Sequence, residues 1–195
     1  GKLAVIHDAS LKRTAGTDIL IEDLTEDDLK NYHLEETQEK IPLLSDVLDL
    51  IHGEVPLIVE LKSVGNNYAT LCDTACRQLA DYQGLYCMES FDPRCILWLR
   101  KNKNEIMRGQ LAYNLFRVDV KIPAVMKFLL QYNLLNFVTK PDFIAYRFSE
   151  RKNLSNFLCR KAWGMQSISW TIHNQEEFDT AQREGWIPIF EGFKP

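Results

Sequence analysis

The stretch LYCMESFDPRCILWLRKN, residues 85–102, reads as one strand and one helix with almost nothing between them. LYCMESF is a short apolar run that leaves the core through polar residues. Asp92 followed by Pro93 marks a helix start: the carboxylate accepts from orphan amides, and proline suits a first turn whose N–H has no helical partner. The same unit recurs on both sides. Upstream, LSDVLDLIHG (44–53) sets Leu44, Val47, Leu48 and Ile51 on one helical face with Gly53 as a natural stop. PLIVELK (56–62) follows as a strand opened by Pro56, and YATLCDTACRQLADY (68–82) as a helix. Downstream, strands at IMRGQLAY, PDFIAYR, SISWTI and WIPIFEG alternate with helices at PAVMKFLLQYN, LSNFLCRKAWG and QEEFDTAQREG. Near the start, KLAVI (2–6) reads as a buried strand, and TEDDLK (25–30) as a short helix with Thr25 as N-cap and Asp28 at the capping-box spacing.

Strand and helix in strict alternation predict parallel strands with crossover helices, an α/β fold. Neither a linker nor a low-complexity tract interrupts the chain, so its 195 residues are expected to form a single domain over 1–195. An open doubly wound sheet and a closed barrel compete. The glycine-rich first turn of a nucleotide-binding sheet is missing, because SVGNN after VELK holds one glycine, and this favours the barrel.

Composition excludes several classes. With 46% hydrophobic and 26% charged residues and a formal net charge of -4, the chain has no basic surface of the kind that binds nucleic acid. No apolar run is long enough to cross a membrane and no signal peptide is visible. The five cysteines, an odd number in mostly apolar segments, suit reduced, buried thiols in a cytoplasmic protein. Cys72 and Cys76 stand four apart on a helix, but no second Cys or His pair follows, so packing explains them better than a metal.

Polar residues collect at the strand ends: His7-Asp8 after LAVI, Glu60 and Lys62 in VELK, Glu89-Ser90, Trp170-Thr171, and Glu191. In a (β/α)8 barrel the active site is built at the carboxyl ends of the strands. Glu60 and Lys62 are two apart and share a side of their strand. They suit a structural ion pair, or equally a carboxylate on a hard cation beside an ammonium on a phosphate oxygen. Glu89 and Ser90 point to opposite sides, so one of them faces the interior. His33 reads as a loop or helix-end residue, His52 as closing a helix, His173 as a surface group, Arg13 as a brace for its loop, and Trp98 and Trp163 as helix packing.

These motifs resemble the glycerophosphodiester phosphodiesterase family. LAVIHDASLKRTAGT, with His7, Asp8, Leu11, Arg13 and Thr14, is similar to its second histidine motif. LTEDDLKNYHL and IPLLSDVLDLI resemble the segments that follow, VPLIVELK its Glu-Leu-Lys strand, MESFDPRCILWLR its Ser-Phe strand and helix, and SISWTIHNQEEFDTAQREG its late Trp-Thr strand. The resemblance implies a TIM barrel of the phospholipase C-like phosphodiesterase type that hydrolyses glycerophosphodiesters to sn-glycerol 3-phosphate and an alcohol. It implies a divalent metal, Ca2+ or Mg2+, with Glu60 as a ligand, His7 as a catalytic histidine, Lys62 on the phosphate, and Phe91 and Trp170 against the substrate. Glu191 stands where the family commonly has a Thr-Asp pair.

The family's His-Arg-Gly strand and Glu-x-Asp strand have no counterpart in the sequence, and Gly1 corresponds to the turn just before the His-Asp motif. The expectation is therefore a barrel incomplete at its N-terminus, in keeping with a length below the roughly 250 residues of such barrels. Two other readings compete: an inactive barrel remnant that binds ligand without turnover, and a related phosphodiesterase acting on a phospholipid. The motifs carry no information on oligomeric state.

Overall fold

The structure, a computed structural model, describes residues 1–35, 37–118 and 122–195. Its contacts divide the chain into two compact units, residues 1–57 with 62–86, and residues 58–61 with 87–195.

In the first unit, helix α1 (Lys12–Ala15) and helix α2 (Glu26–Leu29) surround a small core of Leu11, Leu29 and Ile41, with Ala4, Ile6, Leu24 and Leu43 against it. The expected cap of α2 is present in both directions. The Asp28 amide donates to the Thr25 hydroxyl and the Thr25 amide to the Asp28 carboxylate. Helix α3 (Leu44–Ile51) buries Leu44 and Leu48 and closes on His52 in the left-handed conformation (φ 49°), with Gly53 beyond it at φ 80°. Helix α4 (Tyr68–Gln78) buries Cys72, Ala75 and Cys76.

KLAVI does not form the expected strand. Ala4 makes an isolated antiparallel bridge with Leu43, in which the Val5 amide donates to the Pro42 carbonyl and the Leu44 amide to the Leu3 carbonyl. Its neighbour is thus a short stretch leading into α3, and the segment lies as an edge over the local core. His33 likewise sits in an isolated bridge, with Lys40.

A six-stranded sheet organises the second unit: β1 (Leu57–Glu60), β2 (Tyr86–Ser90), β3 (Arg108–Ala112), β4 (Phe143–Arg147), β5 (Gln166–Ile172) and β6 (Ile187–Phe190), in the spatial order 1-2-3-4-5-6. Every pairing from β2 to β6 is parallel. Sequential parallel order is that of the expected barrel and unlike the reversing order of a doubly wound sheet. Six strands stand in this sheet, where the motifs lead one to expect an eight-stranded closed form less its opening strands.

Helix α5 (Pro93–Asn102) starts as expected, with Asp92 accepting from the Arg94 amide and Pro93 in the first turn. It packs on β3 and on helix α7 (Asn136–Thr139), which follows helix α6 (Ala124–Gln131). Helix α8 (Leu154–Lys161) buries Asn156 and Cys159, and helix α9 (Gln175–Arg183) packs on β5 and β6. Trp163, just past α8, remains half exposed and meets the Phe137 ring edge-on at 5.0 Å between centroids.

The two faces of the sheet differ. Ala112, Tyr146 and Ile172 join Ala181 of α9 and Trp186 in one core. The opposite face carries Leu111, Phe143, Ala145 and Ile168, with Cys87, Trp170 and Ile189 against them. On this second face Gly109 is required by close approach, because a Cβ there would fall 2.0 Å from the Phe143 ring.

Candidate functional site at the strand ends

In the first unit the His7 side chain is 76% exposed, with Nδ1 2.6 Å from one oxygen of Asp8. The other Asp8 oxygen accepts from Arg13 Nε at 2.6 Å, and the Arg13 fork also faces Glu35 at 3.6 Å. Arg13 thus braces its loop, as expected. The Arg13 guanidinium, and then the His7 ring, hold the Asp8 carboxyl below the usual carboxylate range. An ionised carboxylate only accepts hydrogen bonds, which assigns the ring hydrogen to Nδ1. Asp8 therefore orients His7 and Arg13 orients Asp8.

Arg13→Ala tests that chain. In the native protein the Asp8 carboxyl is expected to titrate below 3.8. In the variant its midpoint rises, because the first and largest stabiliser of the ionised form is gone. A pH titration of the Asp8 carboxyl by NMR reads both values. The sign follows from linkage: a depressed folded pKa contributes stability above the unfolded value, and that contribution is lost as pH falls through the folded one.

Lys62 belongs by its contacts to the first unit and is half-buried. Glu60, which ends β1, belongs to the second and is also half-buried.

Ser90 ties the ends of β1 and β2 together. Its hydroxyl donates to the Leu61 carbonyl at 2.6 Å, and the Leu61 amide donates to the Glu89 carbonyl at 2.7 Å. Gln110, the register partner of Ser90, donates its side-chain amide to the Ser90 and Phe91 carbonyls at 3.0 and 3.2 Å. The turn that presents Phe91 is therefore held on one side by the Gln110 side chain of β3 and on the other by the Ser90 hydroxyl on the Leu61 main chain. Alternation puts Glu89 on the face of Cys87, with Leu111, Phe143 and Trp170, and Glu89 is buried there at 5% exposure. Burial, and then Glu89, push the Cys87 thiol up to about 11, so it stays protonated and is no nucleophile at neutral pH.

Above this face four residues from four strand ends meet. Phe91 follows β2, Tyr113 follows β3, Arg147 ends β4, and Trp170 on β5 is the register partner of Arg147. The three rings pack edge to face: Phe91–Tyr113 at 5.3 Å, Phe91–Trp170 at 5.6 Å and Tyr113–Trp170 at 6.2 Å between centroids. The Arg147 guanidinium lies 4.7 Å from the Tyr113 ring centre and 5.4 Å from that of Trp170. Phe91 and Trp170, both expected near substrate from their motifs, are thus brought together. Tyr113 and Arg147 escape the motif reading, although LAY and IAYR end strands in the same manner as VELK and carry the same signal.

His173 is exposed, with Nδ1 3.5 Å from the Glu191 carboxylate, and Glu191 is itself at the surface. That is the surface role expected for His173.

The model of the glycerophosphoryl diester phosphodiesterase family matches residues 1–191. The chain belongs to that family. Its members are phosphoric diester hydrolases. No curated protein matches the sequence. Among solved structures, a phosphodiesterase from Oleispira antarctica in complex with the product sn-glycerol-3-phosphate superposes with a TM-score of 0.75 at 20% identity, over 96% of this chain and 74% of that one. A glycerophosphodiester phosphodiesterase from Parabacteroides distasonis gives 0.74 at 17%, over 97% and 74%. One from Thermotoga maritima gives 0.69 at 21%, over 97% and 76%. At these identities the likeness is one of fold.

Proposed function

We propose that this glycerophosphoryl diester phosphodiesterase family chain hydrolyses glycerophosphodiesters to sn-glycerol 3-phosphate and an alcohol. The observation that carries the reading is the family match over residues 1–191, which spans every motif used above. The product named for the Oleispira antarctica structure is the one this reaction releases.

A phosphodiester anion repels nucleophiles, so the site has to neutralise charge and move protons. In this reading His7 acts through Nε2, with the Asp8–Arg13 pair setting its tautomer and steadying the imidazolium that forms. Lys62 lies along the phosphate and neutralises part of its charge, and Phe91 and Trp170 line the substrate's path. A divalent cation, Ca2+ or Mg2+, is part of the proposal with Glu60 as one ligand. Among the described residues no three His, Cys, Asp or Glu side chains gather into a metal-holding group. A hard cation wants roughly six or more oxygens, so Glu60 is one donor of a larger set, and no step is drawn through the metal. The sequential parallel sheet supports the barrel form of this fold. The burial of four cysteines and the half-burial of the fifth fit the reduced thiols of the cytoplasmic reading, and no described helix is long and apolar enough to cross a membrane.

The test is release of sn-glycerol 3-phosphate from glycerophosphodiesters, with and without EDTA. Turnover that falls about 10-fold or more with chelator and returns with added Ca2+ or Mg2+ is expected. Turnover indifferent to chelation removes the metal, and no release from any diester overturns the reaction itself.

A further inference from the structure

We propose that Arg147 is a specificity-determining residue of this site, selecting diesters whose alcohol part is anionic over those whose alcohol is a cation. The inference rests on the phosphodiesterase reading above.

Arg147 is the last residue of β4, and alternation from Phe143 and Ala145 sets it on the face that carries Trp170. Its register places it directly beside Trp170 at the carboxyl edge of the sheet. The guanidinium rests against Tyr113 and Trp170, at 4.7 and 5.4 Å from their ring centres, and Phe91 packs edge-on to both rings. Such contacts immobilise a long side chain and leave its charge in place.

Among the described residues the Arg147 side chain forms no ion pair and no hydrogen bond. The acid three residues on, Glu150, is engaged elsewhere: one oxygen accepts from the Asn114 amide at 2.6 Å and the other faces Arg117 at 3.6 Å. The site therefore holds a positioned cation whose donors are unspent, on a face lined by aromatic rings.

Two consequences follow from elementary electrostatics. Aromatic rings grouped in this way are the usual seat of an ammonium ligand. Here the chain's own guanidinium occupies the ring faces, so a choline-like alcohol meets a like charge. A phosphate or other anionic group on the alcohol meets a planar fork suited to paired acceptors. The selectivity thus comes from attraction to one class and repulsion of the other.

The experiment compares kcat/KM for glycerophosphocholine, glycerophosphoglycerol and glycerophosphoinositol 4-phosphate in the native protein, Arg147→Gln and Arg147→Lys. The native enzyme is expected to prefer the inositol phosphate diester. Arg147→Gln is expected to lower that substrate's kcat/KM by about 10- to 100-fold, the worth of a hydrogen bond to a charged group, and to leave glycerophosphocholine unchanged or improved. Arg147→Lys keeps the charge and is expected to fall between. An equal loss on all three substrates would place Arg147 on the phosphate they share and overturn the selectivity. So would unchanged ratios. If the native protein hydrolyses none of them, the reaction fails and binding decides this proposal separately. Tryptophan fluorescence titrations should then still show tighter binding of glycerophosphoinositol 4-phosphate than of glycerophosphocholine, lost in Arg147→Gln, and equal binding overturns it.

Discussion

Replacing His7 by alanine is expected to lower the release of sn-glycerol 3-phosphate by about 10²- to 10⁴-fold, the usual worth of a positioned acid–base group. The chemistry asks for a neutral nitrogen that takes a proton and returns it. His7 offers Nε2 for this because Nδ1 is committed to Asp8 at 2.6 Å, and Asp8 is in turn held by Arg13. The loss should be one of rate alone. The ring is 76% exposed and fills no core, so thermal stability is expected to stay within about 0.5 kcal/mol of the native value. Steady-state kinetics beside a melting curve separates the two effects. A variant that keeps native turnover would remove His7 from the mechanism, and one that unfolds would show that its contact with Asp8 holds the loop instead.

Tyr146→Ala is expected to cost about 3–5 kcal/mol of stability, the range for truncating a large buried aromatic side chain. Tyr146 is 1% exposed and packs among Ala112, Ile172, Ala181 and Trp186, where sheet and helix α9 meet. Its hydroxyl donates to the Gln131 carbonyl at 3.2 Å, so Tyr146→Phe keeps the packing and loses one hydrogen bond, about 0.5–1.5 kcal/mol. The pair of variants separates cavity from hydrogen bond in a urea titration.

The same residue gives an alkaline signature. Burial, and then Glu150, push the phenol up to about 12 from 10.0. Ionisation is easier in the unfolded chain, so stability falls as pH rises from the unfolded value toward the folded one, and is unaffected below it. Tyr146→Phe should flatten that loss. Equal alkaline slopes in the two proteins would mean that the phenol is as free to ionise folded as unfolded.

What is local in this fold is legible in the amino-acid order alone. Helix hydrogen bonds close within the segment, so apolar spacing and caps such as Thr25 and Asp92 place α2, α3, α4, α5, α8 and α9. The alternation of strand and helix determines the parallel α/β class, and polar and aromatic residues at strand ends mark Glu60 and Trp170 as candidate positions, to which the family resemblance adds Phe91. A strand, by contrast, exists only through a partner that can lie anywhere in the chain. LAVI has a strand's composition, yet among the described residues Ala4 finds a single antiparallel bridge, with Leu43, and no ladder forms. Alternation sets Glu89 and Ser90 on opposite sides, but packing alone chose Glu89 for the face with Trp170 and gave Ser90 the Leu61 carbonyl. The meeting of Phe91, Tyr113, Arg147 and Trp170 depends on the register of four strands far apart in the chain, which places Arg147 opposite Trp170. Register is set by side chains packing across the sheet, a relation between distant segments that no local window contains.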